Sequence, residues 1–256
     1  MTKPAVKPVR RTGEIAPQRL RELNNGTAQT TILAECLAVD FAQLMQSALP
    51  QTTSEMHQVM ATSTGGITAR MALAAQLLYK NGNISLCTLS NHPSDTIRGW
   101  ACYFIAAQKN LSLSEKLEHI HILADDPHFG VREWAWLAMR SDIIAQAEHA
   151  FTLLPPWAKS PSFKIRRFAS EAIRPRGVWC THFNLLKTEP ERALPILEAL
   201  RSDPEIYVQD SVANWLNDAS KTTPEWVRSV VARWRQESTS PATARICKRA
   251  LRTIDK

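Results

Sequence analysis

Hydrophobic positions recur along most of the chain at the three-to-four-residue spacing of an α-helix, and no segment shows a convincing two-residue alternation. Asn81-Gly82 supplies a stop signal after one helical stretch, because Asn and Gly readily follow helix ends. Gly is scarce, at 8 residues, which disfavours a fold built from tight turns. The sequence therefore predicts an all-α protein. Its clearest helices are expected over residues 31–49, 69–78, 114–124 and 193–200.

A short pattern repeats four times within this helical region. A β-branched anchor is followed three positions later by a mostly aromatic residue, and then by a small or branched one. The anchors are separated by 34, 34 and 43 residues, and three of them are followed directly by Arg. Helix pairs repeated at this period are typical of HEAT-like solenoids, which predicts a curved shell with a concave basic groove. An irregular helical bundle is the alternative. The four anchors are Ile97, Val131, Ile165 and Val208.

The register of these repeats predicts a polar strip. Stacked pairs place equivalent positions on neighbouring helices, and positions +2, +6 and +10 from an anchor share one helix face. The strip includes position +10 only in the last repeat, and Leu137 at +6 is the apolar exception within it. Several carboxylates in a basic setting are unusual for a surface that only wraps DNA, and they favour one that also stabilises a cation. The polar members are Glu133, Arg167, Glu171, Asp210, Asn214 and Asp218.

Charge points to a polyanionic partner. Lys and Arg total 31 against 24 Asp and Glu, which gives a formal net charge of +7. Residues 1–25 and 226–256 are both basic, and the middle of the chain is slightly acidic. Within that middle, however, residues 159–176 carry six bases and one acid. A basic band inside a periodic helical region favours nucleic acid as the partner. The candidate DNA-binding residues of this band are Lys164, Arg166, Arg167, Arg174 and Arg176.

Domain organisation and cell compartment follow from simple features. Residues 1–25 are rich in Pro, Lys and Arg and are interpreted as a flexible basic arm, with one HEAT-like repeat domain over 26–256. No apolar run approaches the roughly 18 residues of a membrane-spanning helix, and the N-terminus lacks the apolar block of a signal peptide. These observations predict a soluble, cytoplasmic protein. The five cysteines lack a C-x-x-C pair, which predicts buried reduced thiols and no zinc site.

Three blocks carry a family resemblance. They are R-E-W-A-W at 132–136, R-R-F-A-S-E-A-I-R-P-R-G-V-W at 166–179 and V-Q-D-S-V-A-N-W-L-N-D-A-S-K at 208–221. With these blocks the chain resembles the AlkC branch of the HEAT-like DNA alkylation-repair glycosylases, over roughly residues 25–235. The resemblance implies excision of cationic alkylated bases from double-stranded DNA, typically 3-methyladenine and, in this branch, 3-methylcytosine. It also implies contact with the sugar without a deep base pocket.

The resemblance assigns three catalytic candidates. Glu133 and Glu171 match acidic residues that the family places against the deoxyribose, and Asp218 matches a further carboxylate beside the site. Each has a plainer alternative. Glu171 could form a helical ion pair with Arg167, Glu133 could lie on a solvated face, and Asp218 could cap the following turn.

Aromatic and polar neighbours complete the predicted site. The resemblance matches Trp179 to an aromatic residue lining the cleft and Arg167 to a phosphate-contacting base. Trp136 and Asn214 are further substrate-lining candidates. Trp179 could instead fill the core, as the register predicts for three other tryptophans. Those three are Trp100, Trp134 and Trp215.

The implied chemistry needs few parts. An N3-alkylated adenine is already a cation, so it leaves as a neutral base without a general acid. Carboxylates near the anomeric carbon would stabilise an oxocarbenium-like sugar and orient water. We therefore expect no metal, nucleotide or redox cofactor. No lysine is singled out as a Schiff-base nucleophile, so we expect a monofunctional glycosylase that can work as a monomer.

Other interpretations remain open at this stage. A non-catalytic HEAT-like scaffold that binds DNA or a protein is the main alternative, and hydrolysis in RNA is a third. Some family members carry an immunoglobulin-like module after the repeats. Because the sequence ends at Lys256, we expect the contacts of such a module to be absent or replaced.

Overall fold

The computed structural model describes residues 12–255. This part of the chain forms sixteen α-helices, three short 3-10 helices and no strand, which confirms the all-α prediction. None of its helices combines the length and apolarity needed to cross a membrane. The 3-10 helices are Thr12–Glu14, Trp157–Lys159 and Pro190–Ala193. The α-helices are α1 Pro17–Asn24, α2 Leu33–Ala38, α3 Phe41–Ala48, α4 Ser54–Ala61, α5 Ile67–Asn81, α6 Leu86–Ser90, α7 Asp95–Ala107, α8 Leu113–Ala124, α9 Phe129–Ala145, α10 Ala147–Leu153, α11 Phe163–Glu171, α12 Leu185–Thr188, α13 Leu194–Leu200, α14 Ile206–Ala219, α15 Pro224–Glu237 and α16 Pro241–Ala250.

The described chain divides into two compact units, where the sequence predicts one repeat domain. Unit 1 contains residues 12–108 and His128–Trp134, and therefore α1 to α7 and the first turns of α9. Unit 2 contains Lys109–Pro127 and 135–255, and therefore α8, the rest of α9 and α10 to α16. In unit 1, α7 packs against α5 and α6; in unit 2, α14 packs against α11 and α16.

Helix boundaries follow local capping chemistry. Gly82 ends α5 with φ +73°, a left-handed conformation that Gly adopts without strain. Ser112 starts α8 in a reciprocal capping box with Glu115. The single helix predicted over 31–49 is two helices, because Asp40 has extended backbone and its side chain caps α3.

The predicted flexible arm differs from what the structure describes. Residues 1–11 lie outside the described residues. Pro17–Asn24 is an α-helix, and its Leu23 is buried. Arg19 on the same helix donates to the Glu35 carboxylate at 2.8 Å. This segment is therefore folded and paired, because an apolar residue and an ion pair anchor it.

The four repeat anchors and the predicted core tryptophans are buried. Ile97, Val131, Ile165 and Val208 are at most 1% exposed. The predicted core tryptophans Trp100, Trp134 and Trp215 are also buried.

The side chain after an anchor ties the preceding turn to its helix. Arg98, Arg166 and Gln209 each donate to the two main-chain carbonyls six and five positions earlier, at 2.8–3.4 Å. These carbonyls belong to the turn that leads into the helix. The Arg that follows the first and third anchors therefore has a structural role.

Helix α11 ends earlier than its counterparts. It continues only six residues past its anchor Ile165, whereas α7 continues ten past Ile97 and α14 eleven past Val208. Pro175 follows shortly after, and a proline disfavours helical backbone in the residue before it. The chain therefore leaves the helix after Glu171 and forms a loop that reaches α12.

Candidate active site

A buried ionic cluster joins α11, α14 and the loop after α11. Arg174 donates from Nη1 to Oε1 of Glu171 at 2.7 Å, and from Nε and Nη2 to Oδ2 of Asp218 at 3.0 and 2.6 Å. Lys221 Nζ donates to Oδ1 of Asp218 at 3.0 Å. The Glu171 and Asp218 side chains are 5% and 6% exposed, whereas Lys221 is 42% exposed. We call these four residues the Arg174 cluster.

Glu171 and Arg174 are both charged within this cluster. Burial alone would raise the pKa of Glu171, but the charges of Arg167 and Arg174 and a hydrogen bond from Ser211 lower it overall. Ser211 Oγ donates to Oε2 at 2.5 Å, so both oxygens of Glu171 have partners inside the protein. Burial would lower the pKa of Arg174, and the two carboxylates raise it despite that. Glu171 and Arg174 therefore form a buried, ionised pair at neutral pH.

The structure brings together part of the predicted polar strip. Glu171 and Asp218 share Arg174, and Arg167 Nη2 lies 3.8 Å from Oε1 of Glu171. Glu133 is half-buried in the first turns of α9, which belong to unit 1. Its catalytic role stays a prediction.

Trp179 stands out on the loop after α11. Its φ of +61° is the only positive value among the described non-Gly residues. A bulky side chain in this region costs about 1–3 kcal/mol, and such strain clusters at ligand sites. The indole is 50% exposed, and the neighbouring Val178 is 59% exposed. Trp179 is therefore presented to solvent and does not fill the core.

Trp136 occupies a different place from the one predicted. It is 4% exposed, and its ring lies 3.8 Å from where a Cβ on Gly177 would be. The same added Cβ would overlap Sγ of Cys180. Trp136 therefore packs beneath the Trp179 loop, and its substrate-lining role stays a prediction.

The predicted DNA-binding arginines separate into paired and unpaired side chains. Arg166 donates from Nε and Nη2 to Asp203 at 2.6 and 3.0 Å, in addition to the two carbonyls described above. Its donors are thus engaged inside the protein, which argues against a phosphate contact, and its DNA-binding role stays a prediction. Arg176, by contrast, has no hydrogen bond or ion pair among the described residues, and its Nε is buried without a partner.

The three other predicted DNA-binding residues also have partners inside the protein. The Arg167 guanidinium lies 4.2 Å from the centre of the Tyr207 ring, in a cation–π contact. Lys164 Nζ donates to the main-chain carbonyl of Asp125 at 2.9 Å. Arg174 is wholly committed to the carboxylates of its cluster.

Helix α16 and the turn that follows it supply basic residues that the sequence interpretation missed. Arg245 donates to Asp210 at 2.7 Å, and Arg249 Nε lies 3.1 Å from the same oxygen. Arg252 donates to Oδ1 of Asn214 at 2.8 Å, so this predicted lining residue already has a partner. The basic excess of residues 226–256 was a signal, but sequence alone did not place α16 against the strip on α14.

Comparisons with known proteins agree with this architecture. Residues 133–251 match the model of the DNA alkylation repair enzyme family. An uncharacterised protein, YhaZ of Bacillus subtilis strain 168, is 41% identical over 117 residues, which are 46% of this chain and 32% of YhaZ. The chain thus spans about a third of that relative's length.

Two solved structures share the fold. The alkylpurine DNA glycosylase AlkC of Pseudomonas fluorescens, bound to DNA containing an abasic site analog, matches with a TM-score of 0.67 and 24% identity. This match covers 92% of this chain and 64% of AlkC. AlkD2 of Streptococcus mutans matches with a TM-score of 0.60 and 22% identity, over 78% of this chain and all of AlkD2. The family match over residues 133–251 and the shared HEAT-like helical fold agree with the resemblance to DNA alkylation-repair enzymes that the sequence motifs carry.

Proposed function

We propose that this protein is a monofunctional DNA glycosylase that hydrolyses the N-glycosidic bond of alkylated bases carrying positive charge. The candidate substrates are 3-methyladenine and 3-methylcytosine in double-stranded DNA. The observation that carries the proposal is the Arg174 cluster together with the exposed Trp179. Arg174 and Trp179 lie on the same loop, with only four residues between them. The family model and the fold of AlkC support it.

The reaction requires little from the protein at the leaving group. The base is cationic before the bond breaks, so the bonding electrons move to it and it departs as a neutral molecule. Positive charge then develops on the sugar, and water adds to the anomeric carbon. A fixed carboxylate beside the sugar lowers the barrier, since electrostatic stabilisation of developing charge is a large catalytic term.

Asp218 is the proposed catalytic carboxylate. In the free protein its two oxygens are covered by Arg174 and Lys221. Lys221 is the more exposed of the two cations, and a DNA phosphate can replace Asp218 as the partner of its ammonium group. Removal of Lys221 would expose Oδ1 of Asp218 to the sugar and to the proton that the attacking water releases. In this mechanism DNA binding itself uncovers the catalytic anion.

Glu171 has a different role in this mechanism. Both of its oxygens are held by Arg174 and Ser211, so it acts as a positioning residue for Arg174. Arg174 in turn holds Oδ2 of Asp218 and leaves Oδ1 as the oxygen that faces the substrate.

Trp179 and Arg176 are the proposed binding groups. An indole face attracts the cationic base by about 1–2 kcal/mol when water is excluded. Arg176 lies three residues before Trp179, and its guanidinium has no partner among the described residues. It is therefore available for a phosphate near the lesion.

The proposal is tested by base release. Purified protein is incubated in excess over methylated duplex DNA, and free 3-methyladenine and 3-methylcytosine are separated by chromatography. We expect release by the wild type and strongly reduced release by Asp218→Asn, with duplex affinity no weaker than that of the wild type, because Lys221 no longer pairs with a carboxylate and stays available to a phosphate.

The scaffold interpretation predicts a different result. A non-catalytic protein would bind the methylated duplex, and no base would be released above the spontaneous rate. Equal release by the wild type and Asp218→Asn would remove Asp218 from the mechanism and would leave the glycosylase activity to other residues.

A further inference from the structure

Arg140 is a buried cation on the part of α9 that belongs to unit 2. It is 2% exposed, and the acceptors of its guanidinium are main-chain carbonyls. Nη1 donates to Ala172 at 2.7 Å, Nη2 donates to Arg174, and both Nε and Nη2 donate to Thr181 at 3.2 Å. Three carbonyls that are distant from Arg140 in sequence thus converge on one side chain.

Two of these carbonyls lie at the C-terminal end of α11. Ala172 and Arg174 follow the premature end of α11, where the last carbonyls of a helix lack partners within the helix. The C-terminal end of a helix also favours a nearby cation. Arg140 therefore caps the end of α11 from a different helix.

The third carbonyl lies on the other side of Trp179. Thr181 follows Trp179 by two residues, so the Arg140 guanidinium binds both ends of the loop 172–181. The main-chain N–H of Phe183 also donates to the carbonyl of Pro175 at 3.1 Å, which closes the base of the same loop. The strained backbone of Trp179 is thus held between two fixed ends.

Burial of the Arg140 charge is costly, and beyond the three carbonyls its guanidinium contacts the ring of Phe183, whose centre lies 5.5 Å away. A buried guanidinium loses its hydration, and burial lowers the pKa of Arg140 accordingly. An apolar residue of similar length could fill the space without that cost. The charge is therefore best explained by the three carbonyls that it holds.

We infer that Arg140 is a positioning residue that clamps the loop 172–181 and thereby holds Trp179 in its strained, exposed conformation. This inference rests on the proposed function, because the clamp matters for catalysis only if Trp179 contacts the substrate. No part of the clamp touches the reacting atoms.

The kinetic test is a double-mutant cycle between Arg140 and Trp179. Single-turnover release of 3-methyladenine is measured for Arg140→Met, Trp179→Ala and the double variant. We expect Arg140→Met to slow release about tenfold, since misplacement of a substrate-positioning group has effects of this size or larger. The double variant should be no slower than Trp179→Ala alone, because Arg140 acts through Trp179. Multiplication of the two single effects would overturn the inference.

A structural readout that does not depend on activity accompanies the cycle. Trypsin cleavage between Arg176 and Gly177 is followed by mass spectrometry at a temperature where every variant is folded. Cleavage should be much faster in Arg140→Met and unchanged in Arg192→Met, which removes an exposed arginine with surface ion pairs. Unchanged cleavage in Arg140→Met would overturn the clamp.

The two proposals fail in distinguishable ways. If the wild type releases no base, the glycosylase proposal fails while the cleavage experiment still decides whether Arg140 holds the loop. If Arg140→Met does not fold, Arg140→Lys carries the same comparison, because one ammonium group cannot reach all three carbonyls. We expect Arg140→Lys to be cleaved at an intermediate rate, and wild-type resistance in this variant would contradict the clamp.

Discussion

Each unit contains a buried aspartate, and the two have different surroundings. In unit 1, Asp95 accepts hydrogen bonds from the main-chain N–H and the hydroxyl of Thr30, at 2.8 and 2.7 Å, and lies 3.5 Å from His128 Nδ1. In unit 2, Asp218 is bound by Arg174 and Lys221. Both side chains are hidden from solvent, so burial alone does not tell which one can act on a ligand.

The partners distinguish the two aspartates. Thr30 and His128 are themselves buried, so a ligand has no access to any member of the Asp95 network. Lys221 is an exposed cation that a phosphate can remove from Asp218. A buried carboxylate with an exposed, exchangeable partner is therefore a better candidate for catalysis than one tied to the main chain.

The largest expected difference comes from the same substitution at both aspartates. Asp218→Asn should slow base release by about 100-fold or more, because the amide cannot stabilise the cationic sugar. Asp95→Asn should lower the free energy of unfolding by about 2–3 kcal/mol through the loss of charged hydrogen bonds, with normal release per folded molecule. Single-turnover release and urea unfolding measure the two effects. The comparison would fail if the two variants exchanged these phenotypes.

Substitution of Trp179 should separate stability from activity. Trp179→Gly should reduce release about tenfold through loss of the aromatic contact. It should also raise the free energy of unfolding by up to about 1 kcal/mol, because Gly adopts the left-handed backbone without strain. Thermal unfolding alongside release measures both changes, and a lower melting temperature would argue against strain at this position.

The two arginines of one basic band should respond to salt in different ways. Arg176→Gln should lower the slope of log affinity against log salt by about one, since one phosphate contact is lost. Arg166→Gln should leave the slope unchanged and destabilise the fold, because it breaks the pair with Asp203. Duplex binding titrated at several salt concentrations checks this. A slope change for Arg166→Gln would restore that residue to the DNA interface.

The smallest expected effect is a change of stability with pH. The pKa of Glu171 is lower in the folded protein than its ordinary value near 4.5, so its contribution to stability is full above that value and is lost as pH falls through the folded pKa. Glu171→Gln should therefore be less stable than the wild type at pH 7, and the difference should shrink as the pH falls below about 4.5. Unfolding curves across this range measure it, and a constant difference would exclude an ionised Glu171 as its source.

Sequence patterns were sufficient for the fold and for part of the site. Helical spacing and the four anchors predict the all-α repeat architecture, and the register predicts that Glu171 and Asp218 converge. The register could not reveal that Arg174 covers both carboxylates, because that contact depends on where the loop after α11 turns back. It also could not separate Arg166 from Arg176, since their different partners come from distant parts of the chain.

Trp136 and Arg140 illustrate the same limit. They lie one turn apart on α9, and nothing in their local sequence distinguishes a substrate-facing tryptophan from one that supports a loop from beneath. Arg140 lies outside every motif, because its acceptors are main-chain carbonyls and these leave no trace in the sequence.

The shortened α11 has a consequence for how such repeats acquire a reactive surface. The distance from Ile165 to Val208 exceeds the two preceding anchor distances by nine residues, and this surplus coincides with the segment that bears Trp179. In one repeat the final turns of a helix can thus be replaced by an irregular loop, while the neighbouring repeats keep their regular helices. In chains of this type, a break in the repeat period is itself a place to look for chemistry.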